Sequence, residues 1–301
     1  MFTPKKVAVI GFGEAGTVVA EGCLAGAKKL KTAMSCHAWD IRMENPDQRA
    51  GLEKTAEALG VTLHAVPGDW IGEMDVVFSL VFGTVAKQVA LEILPRLREG
   101  ATYIDLTTSV PTDMLEASER FAARKVGFLD GTSLGSFRTN GMRAPFVLSG
   151  PGAEAWSSWM NSLGFNTTPV PGKPGNASAV KLLRSVVAKG LEALAVECFV
   201  TAERLGLRQS MMNAFNDFDL HPFAATMEDM GGSHIAHCKR RLDEIDHVLA
   251  MLDAAGIDGV MTRASREFYA RTHASAGRNH PDADGGWDAC MDAYQAILQK
   301  N

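Results

Sequence analysis

The sequence predicts an α/β fold, with a doubly wound, mostly parallel sheet followed by an all-α C-terminal domain. Three observations carry this reading. Through the first half, short apolar runs rich in β-branched residues alternate with helical patterns, which implies a parallel sheet covered by helices on both faces. A glycine-rich turn, Gly11 to Gly16, follows the first of these runs and opens a helix. After the Pro/Gly-rich stretch Pro169–Gly175 the β-like alternation stops and long apolar helical patterns take over.

The elements follow in order. Val7–Ile10 is the first strand, and a helix is under way by Val18–Leu24. Cys36–Trp39 is the second strand, followed by a polar helix over Pro46–Leu59, and Val61–Ala65 is the third strand. Val76–Leu80 and Tyr103–Leu106 are buried strands separated by a helix over Val85–Leu97. Met114–Arg124 is a helix, and Gly127–Leu129 and Phe146–Leu148 are strands. In the second half, one apolar helix runs from Val180 to about Leu205 and another, with a charged face, over Ser233–Ala255. The boundary is placed near residue 172, giving a nucleotide-binding domain over 1–172 and a helical domain for substrate and dimerisation over 173–301. Ala276–Pro281 reads as a loop before a last helix, and residues 271–301 carry no functional signal.

The chain of 301 residues has a formal charge of −5 and no basic run, which argues against nucleic acid as a partner. Its five cysteines are scattered, with no Cys-x-x-Cys or zinc-type spacing, so a reducing, cytoplasmic setting is expected. The longest apolar stretch, around Val186–Val200, is interrupted by Lys189, Glu192 and Glu197, so it reads as a buried helix and not a membrane span.

Gly11-Phe12-Gly13-Glu14-Ala15-Gly16 has the spacing Gly-x-Gly-x-x-Gly between a strand and a helix, the setting of the Rossmann dinucleotide fingerprint. The first glycine permits the turn, the second lets backbone approach a pyrophosphate, and the third lets helix and strand pack closely. Asp40, at the end of the second strand, can accept the ribose hydroxyls of NAD. Arg42 beside it can receive the 2′-phosphate of NADP. NAD is the expected cofactor, with NADP possible. Val81, Phe82 and Gly83 after the fourth strand, and Thr107 and Thr108 after the fifth, lie on the ligand side of such a sheet. Glycine in a loop and threonine in a strand also have purely structural uses.

The glycine turn, Asp105–Pro111, Leu129–Ser136 and Gly175–Lys181 occur in an order that resembles the β-hydroxyacid dehydrogenases, the group of 3-hydroxyisobutyrate and phosphogluconate dehydrogenases. The resemblance covers residues 5 to about 206. The later part, with His234–Arg241, is similar to phosphogluconate-dehydrogenase-like proteins that have their own C-terminal domain. It implies hydride transfer between a nicotinamide cofactor and a small polar β-hydroxy acid or sugar acid, with Lys181 moving the hydroxyl proton. A lysine can do so only if its pKa is lowered, and burial among Val180, Leu182 and Leu183 plus a place in the first helical turn would both lower it. Alternatively, Lys181, Arg184, Ser185, Ala188, Lys189 and Glu192 form a solvated stripe at helical spacing.

The sequence departs from the family where it would hold the substrate acid. The usual Ser-Gly-Gly is Leu134-Gly135-Ser136 here, so Ser133 or Ser136 is expected to supply the hydroxyl and backbone N–H groups near Gly135 the anion grip. Ser185 replaces an asparagine one turn after the lysine, and Arg184 stands beside it. Arg138 and Arg143 add guanidiniums to the same loop. His234, His237 and Cys238 lack a further ligand, so no metal is expected, and His237 and Arg240 are read as substrate or partner contacts. Three rival readings follow: imine reduction, oxidation coupled to decarboxylation or isomerisation, and a catalytically silent NAD(H) sensor. The partners expected are a small-molecule substrate and a second copy of the chain, not nucleic acid or membrane.

Overall fold

The computed structural model describes residues 4–216, 218–276 and 286–299. The chain divides into two compact units, Met1–Ser185 and Val186–Asn301. The first is built on eight strands: β1 Lys6–Ile10, β2 Ser35–Trp39, β3 Thr62–Leu63, β4 Val76–Ser79, β5 Thr102–Asp105, β6 Gly127–Ser133, β7 Pro145–Ser149 and β8 Asn166–Val170. They form one sheet in the order β3-β2-β1-β4-β5-β6-β7-β8. All neighbours are parallel except β6 and β7, whose short connection leaves them antiparallel.

Helices α1 Glu14–Lys29, α2 Pro46–Leu59, α3 Ala86–Ile93, α4 Pro111–Ala123, the short α5 Phe137–Asn140 and α6 Ala153–Ser162 complete this unit, with α7 Asn176–Arg204 beginning in it. Successive side chains of a strand point to opposite faces. Val7 and Val9 therefore join Phe78, Ile104, Leu129, Trp156 and Phe165 in one core. Ala8 and Ile10 join Val77, Tyr103, Phe121 and Phe128 in the other. Two apolar faces require cover on both sides, which explains why β1 is apolar without a break from Val7 to Ile10. Each fully buried Val, Ile or Phe contributes roughly 1.5–3 kcal/mol relative to exposure.

Several sequence expectations change. The third strand is only Thr62–Leu63, shorter than Val61–Ala65. The strand β8 and the helix α6 were not foreseen. Pro169 read as the start of a linker. It is tolerated inside β8 because β8 is an edge strand, where a missing N–H leaves no inner ladder bond unmade.

The second unit holds the remainder of α7, α8 Arg208–Ala214, α9 Phe223–Ala254, α10 Val260–Ala276 and α11 Gly286–Leu298. Its small core gathers Ile235, Cys238, Cys290 and Tyr294, with Tyr269 and Ile297 against them. Glu197 accepts the backbone N–H groups of Met261 (2.9 Å) and Thr262 (3.1 Å), capping α10. The helix expected over Ser233–Ala255 starts at Phe223. Gly231 and Gly232 lie inside α9, where a Cβ on Gly231 would meet the Trp287 ring at 1.9 Å. The glycine is there to let the last helix approach, and Tyr294 OH donates to the Gly231 carbonyl. That last helix is observed, whereas the loop expected over Ala276–Pro281 lies, but for Ala276, outside the described residues. No helix among the described residues is long and apolar enough to cross a membrane.

Candidate active site

In a doubly wound sheet, ligands bind at the carboxyl ends of the strands. The glycine turn after β1, Asp40 after β2, Val81–Gly83 after β4 and Thr107–Thr108 after β5 all fall on that edge. The three glycines have three different reasons. Gly11 has φ +91°, and a Cβ there would meet the Leu80 carbonyl oxygen at 2.6 Å. On Gly16 a Cβ would meet the Gly11 carbonyl oxygen at 2.0 Å, so strand and helix could not close together. Gly13 faces open space, with nothing nearer than Arg42 Nη2 at 3.8 Å. Gly13 also begins α1 with no side-chain cap, so the first-turn N–H groups of the helix have no side chain closing them off. Open space in front of helical N–H groups fits a pyrophosphate. Phe12 sends its side chain into the core (1% exposed), so only its backbone belongs to the cradle. Glu14 is exposed and Ala15 half-buried at the helix start.

Asp40 is buried and turned inward. Its Oδ2 accepts the Phe12 N–H at 2.8 Å and Arg42 Nη2 at 2.9 Å, and its Oδ1 accepts Arg42 N at 2.9 Å and Arg42 Nε at 2.8 Å. Burial works against ionisation. The hydrogen bonds and charge of Arg42, with the Phe12 N–H, outweigh it and hold the carboxyl below its usual range. A carboxylate has about four lone-pair sites, and four N–H groups occupy them. Asp40 thus ties the glycine turn to Arg42, and its lone pairs are not left over for a ribose. Arg42 Nη2 also donates to the Phe12 carbonyl at 3.1 Å, fixing the guanidinium over the turn.

After β4, Phe82 is 85% exposed and Val81 half-buried. Gly83 has a backbone reason of its own: a Cβ would meet the Thr108 carbonyl oxygen at 2.0 Å, and Ser109 Oγ donates to the Gly83 carbonyl at 3.2 Å. Thr107 is anchored by Asp105, whose Oδ1 accepts its N–H at 2.9 Å and its hydroxyl at 2.5 Å. Thr108 Oγ1 lies 3.1 Å from Thr132 Oγ1. Asp105 is fully buried, and desolvation, opposed by Thr107 and reinforced by Asp130, pushes its carboxyl up to about 7.

Lys181 is the sixth residue of α7, in its second turn and not the first, so the end of the helix dipole does not act on it directly. The apolar neighbours expected to bury it are themselves exposed in the chain: Val180, Leu182 and, most of all, Leu183 at 68%. Lys181 itself is half-buried. Arg184 is exposed, and Ser185 Oγ donates back to the Lys181 carbonyl at 2.9 Å, so that hydroxyl serves the helix.

The expected carboxylate-binding loop is also turned on itself. Ser133 Oγ donates to the Gly135 carbonyl at 2.8 Å and accepts the Gly135 N–H at 3.3 Å, while the Leu134 N–H donates to the Pro145 carbonyl at 2.7 Å. Of the backbone donors around Gly135, its own N–H is thus met by Ser133 and that of Leu134 by β7. Ser136 and Arg143 are exposed, and the Arg138 side chain lies outside the described ones.

His234, His237 and Cys238 do not converge. His234 is buried, 2.9 Å from Thr272 Oγ1 and stacked on Phe268, with its pKa lowered by burial and then by Arg241. Cys238 is in the helical core, and His237 is exposed. Arg240 forms an exposed ion pair with Glu244. Among the described residues no group of three His, Cys, Asp or Glu could hold a metal.

Sequence reasoning passed over Asp105 and Asp130. Both are carboxylates inside apolar strands, and a charge in such a run has to be partnered or neutralised, which is the signal that marks them.

Residues 6–157 match the NAD-binding domain of 6-phosphogluconate dehydrogenase, and residues 202–272 match a domain of unknown function, DUF1932. A conserved hypothetical protein from Sinorhizobium meliloti 1021 is 29% identical, covering 98% of this chain and 97% of its own, with a TM-score of 0.60. A conserved protein described as structurally similar to 3-hydroxyacid dehydrogenases is 28% identical over 89% of this chain and 96% of its own, with a TM-score of 0.59. The imine reductase from Myxococcus stipitatus, in complex with NADP+, shares the fold at 17% identity, covering 96% and 99% of the two chains with a TM-score of 0.72. Through the part that builds the cofactor cradle, this chain belongs to the family of the 6-phosphogluconate dehydrogenase NAD-binding domain.

Proposed function

We propose that the protein is a nicotinamide-dependent oxidoreductase acting on a small polar β-hydroxy acid or sugar acid, with Lys181 as the general acid/base. The observation that carries this reading is the cradle: Gly13 open to a ligand on the carboxyl edge of the sheet, with the helix bearing Lys181 starting beside β6 and β7 in the same unit. When bound, the nicotinamide supplies or accepts the hydride. The α1 N-terminus and the glycine turn hold the pyrophosphate, and Thr107 and Thr108 meet the nicotinamide end. Lys181 Nζ takes the substrate hydroxyl proton in oxidation and returns it in reduction.

Both dinucleotides fit the reading. Arg42 Nη1 accepts no duty toward Asp40 and is available to a 2′-phosphate, whereas NAD relies on the turn itself. A second copy of the chain completes the protein. Leu183, Val186, Val196 and Val200 are exposed along α7, and exposed apolar side chains clustered on one helix mark a surface that becomes covered. The helical unit also carries an apolar groove of about 880 Å³ between α7, α8 and α9.

A second reading, reduction of a C=N bond, is favoured by one observation. The Ser133 hydroxyl and the Gly135 N–H are bonded to each other's residue and not left open, which suits a substrate without a carboxylate. The test is cofactor absorbance with NAD and NADP against hydroxy acids, sugar acids and amines. Turnover of an acid class supports the first reading, and turnover of amines alone supports the second.

A further inference from the structure

The first N–H groups of a helix have no partners within it. Those of α7 are met from the sheet. Asp130 Oδ2 accepts the N–H of Gly175 at 3.0 Å and of Ser178 at 2.9 Å, and Oδ1 accepts Ser178 Oγ at 2.5 Å. Ser149 Oγ accepts the Ala177 N–H at 2.9 Å and itself donates to Asp130 Oδ2 at 3.1 Å. Asp130 and Ser149 stand directly opposite each other across the antiparallel β6–β7 pair, and both are fully buried. The chain enters this latch through Gly175, at φ +101°, where a Cβ would meet the Pro111 carbonyl oxygen at 2.5 Å.

A buried carboxylate costs several kcal/mol of lost hydration unless charge-assisted hydrogen bonds replace it, and here four do. The residues so held bear on Lys181 by helix geometry. Ala177 and Ser178 are four and three positions before it and share its face. A long helical side chain leans back over the turn before its own Cα, which directs the Lys181 stem toward the latched turn.

We propose that Asp130, with Ser149, is the positioning residue for Lys181: the pair fixes the first turn of α7 and through it the direction of the lysine. This rests on the reading of Lys181 as the proton-transfer group. Its consequence is that loosening the latch damages chemistry more than binding, since a misplacement of about 1 Å can cost about 10²-fold in rate.

The test uses the full-length protein, Asp130→Asn and the milder Ser149→Ala, the second covering the case in which the first does not fold. Acetic anhydride labelling near pH 8, read by mass spectrometry, reports Lys181 directly, with exposed Lys54 and Lys189 as references. The expected result is labelling several-fold faster at Lys181 alone. In turnover, with acetoacetate and 2-methyl-1-pyrroline as probes, kcat is expected to fall about 10- to 100-fold with KM and NADH affinity within about 2-fold. In a Lys181→Ala background neither substitution lowers the residual rate further. Unchanged labelling of Lys181 in folded variants overturns the proposal. So does equal acceleration at Lys54, which marks a role in the fold alone, and so does a loss that adds fully to that of Lys181→Ala. Normal turnover by Lys181→Ala is a different failure, that of the functional reading, and the labelling still reports whether the latch holds the lysine.

Discussion

Arg42 grips Asp40 with both Nε (2.8 Å) and Nη2 (2.9 Å), and the carboxylate that marks the end of β2 is thereby held on the guanidinium. A carboxylate at this position is commonly taken to select NAD. Here the same residue builds the mount for a guanidinium. Arg42→Ala is expected to weaken NADP(H) binding by about 10-fold or more, since a charge-assisted contact to phosphate is lost. NAD(H) affinity is expected to hold or rise, because Asp40 regains free lone pairs. Fluorescence titration with both reduced cofactors checks this, and an equal loss for the two would contradict it.

The glycine turn separates fold from ligand binding. Gly16→Ala is expected to cost a few kcal/mol in stability, because its Cβ runs into the Gly11 carbonyl backbone. Gly13→Val has room in the chain and is expected to keep its melting temperature within a few degrees while losing dinucleotide affinity by 10-fold or more. Thermal melts with and without NADH measure both, and a stable Gly16→Ala or a tightly binding Gly13→Val would break the assignment.

How far the sequence could be read follows from how local each cause is. Pro46 to Leu59 was legible to the residue because its signals are local: Asn45 caps it, Pro46 opens it and Gly60 ends it at φ +71°. The glycine turn was legible for the same reason. What escaped depends on distant partners. Pro169 within β8 is tolerable only because nothing pairs beyond it. Gly231 inside α9 is explained only by Trp287, far along the chain. Asp130 reads in the sequence as one more residue of a motif, and its partners Gly175 and Ser178 are 45 and 48 positions away. In the Ser133–Ser136 loop the residues lie on one segment, but the Ser133 hydroxyl closing on Gly135 is a matter of geometry that composition does not carry.

Asp105 gives the protein a pH signature. Folded, it keeps its proton up to about 7, whereas an unfolded aspartate releases it near about 3.9. Between those values the unfolded chain binds fewer protons, so this group's contribution is full below about pH 4 and is lost as pH rises through 7. The loss is on the order of a few kcal/mol at most. Asp105→Asn keeps an acceptor for the Thr107 N–H and hydroxyl and removes the slope. Denaturation at pH 4.5, 6 and 8 should show the variant gaining on the wild type as pH rises, and parallel curves would contradict the assignment.

The exposed apolar side of α7 predicts self-association. Val196→Glu places a charge where the chain shows 60% exposure, so a monomeric protein would tolerate it within about 0.5 kcal/mol. A dimer that covers this helix would dissociate. Sedimentation of both proteins at micromolar concentration decides, and a monomeric wild type would remove the second copy from the account.

The central claim is that Lys181 moves the proton. The most direct measurement is single-turnover cofactor absorbance for the wild type and Lys181→Ala, on the substrate class found in the panel, beside NADH and NADPH affinity by fluorescence. The account predicts turnover reduced by 10²- to 10⁴-fold in the variant with both affinities nearly unchanged. Wild-type turnover in Lys181→Ala would contradict it.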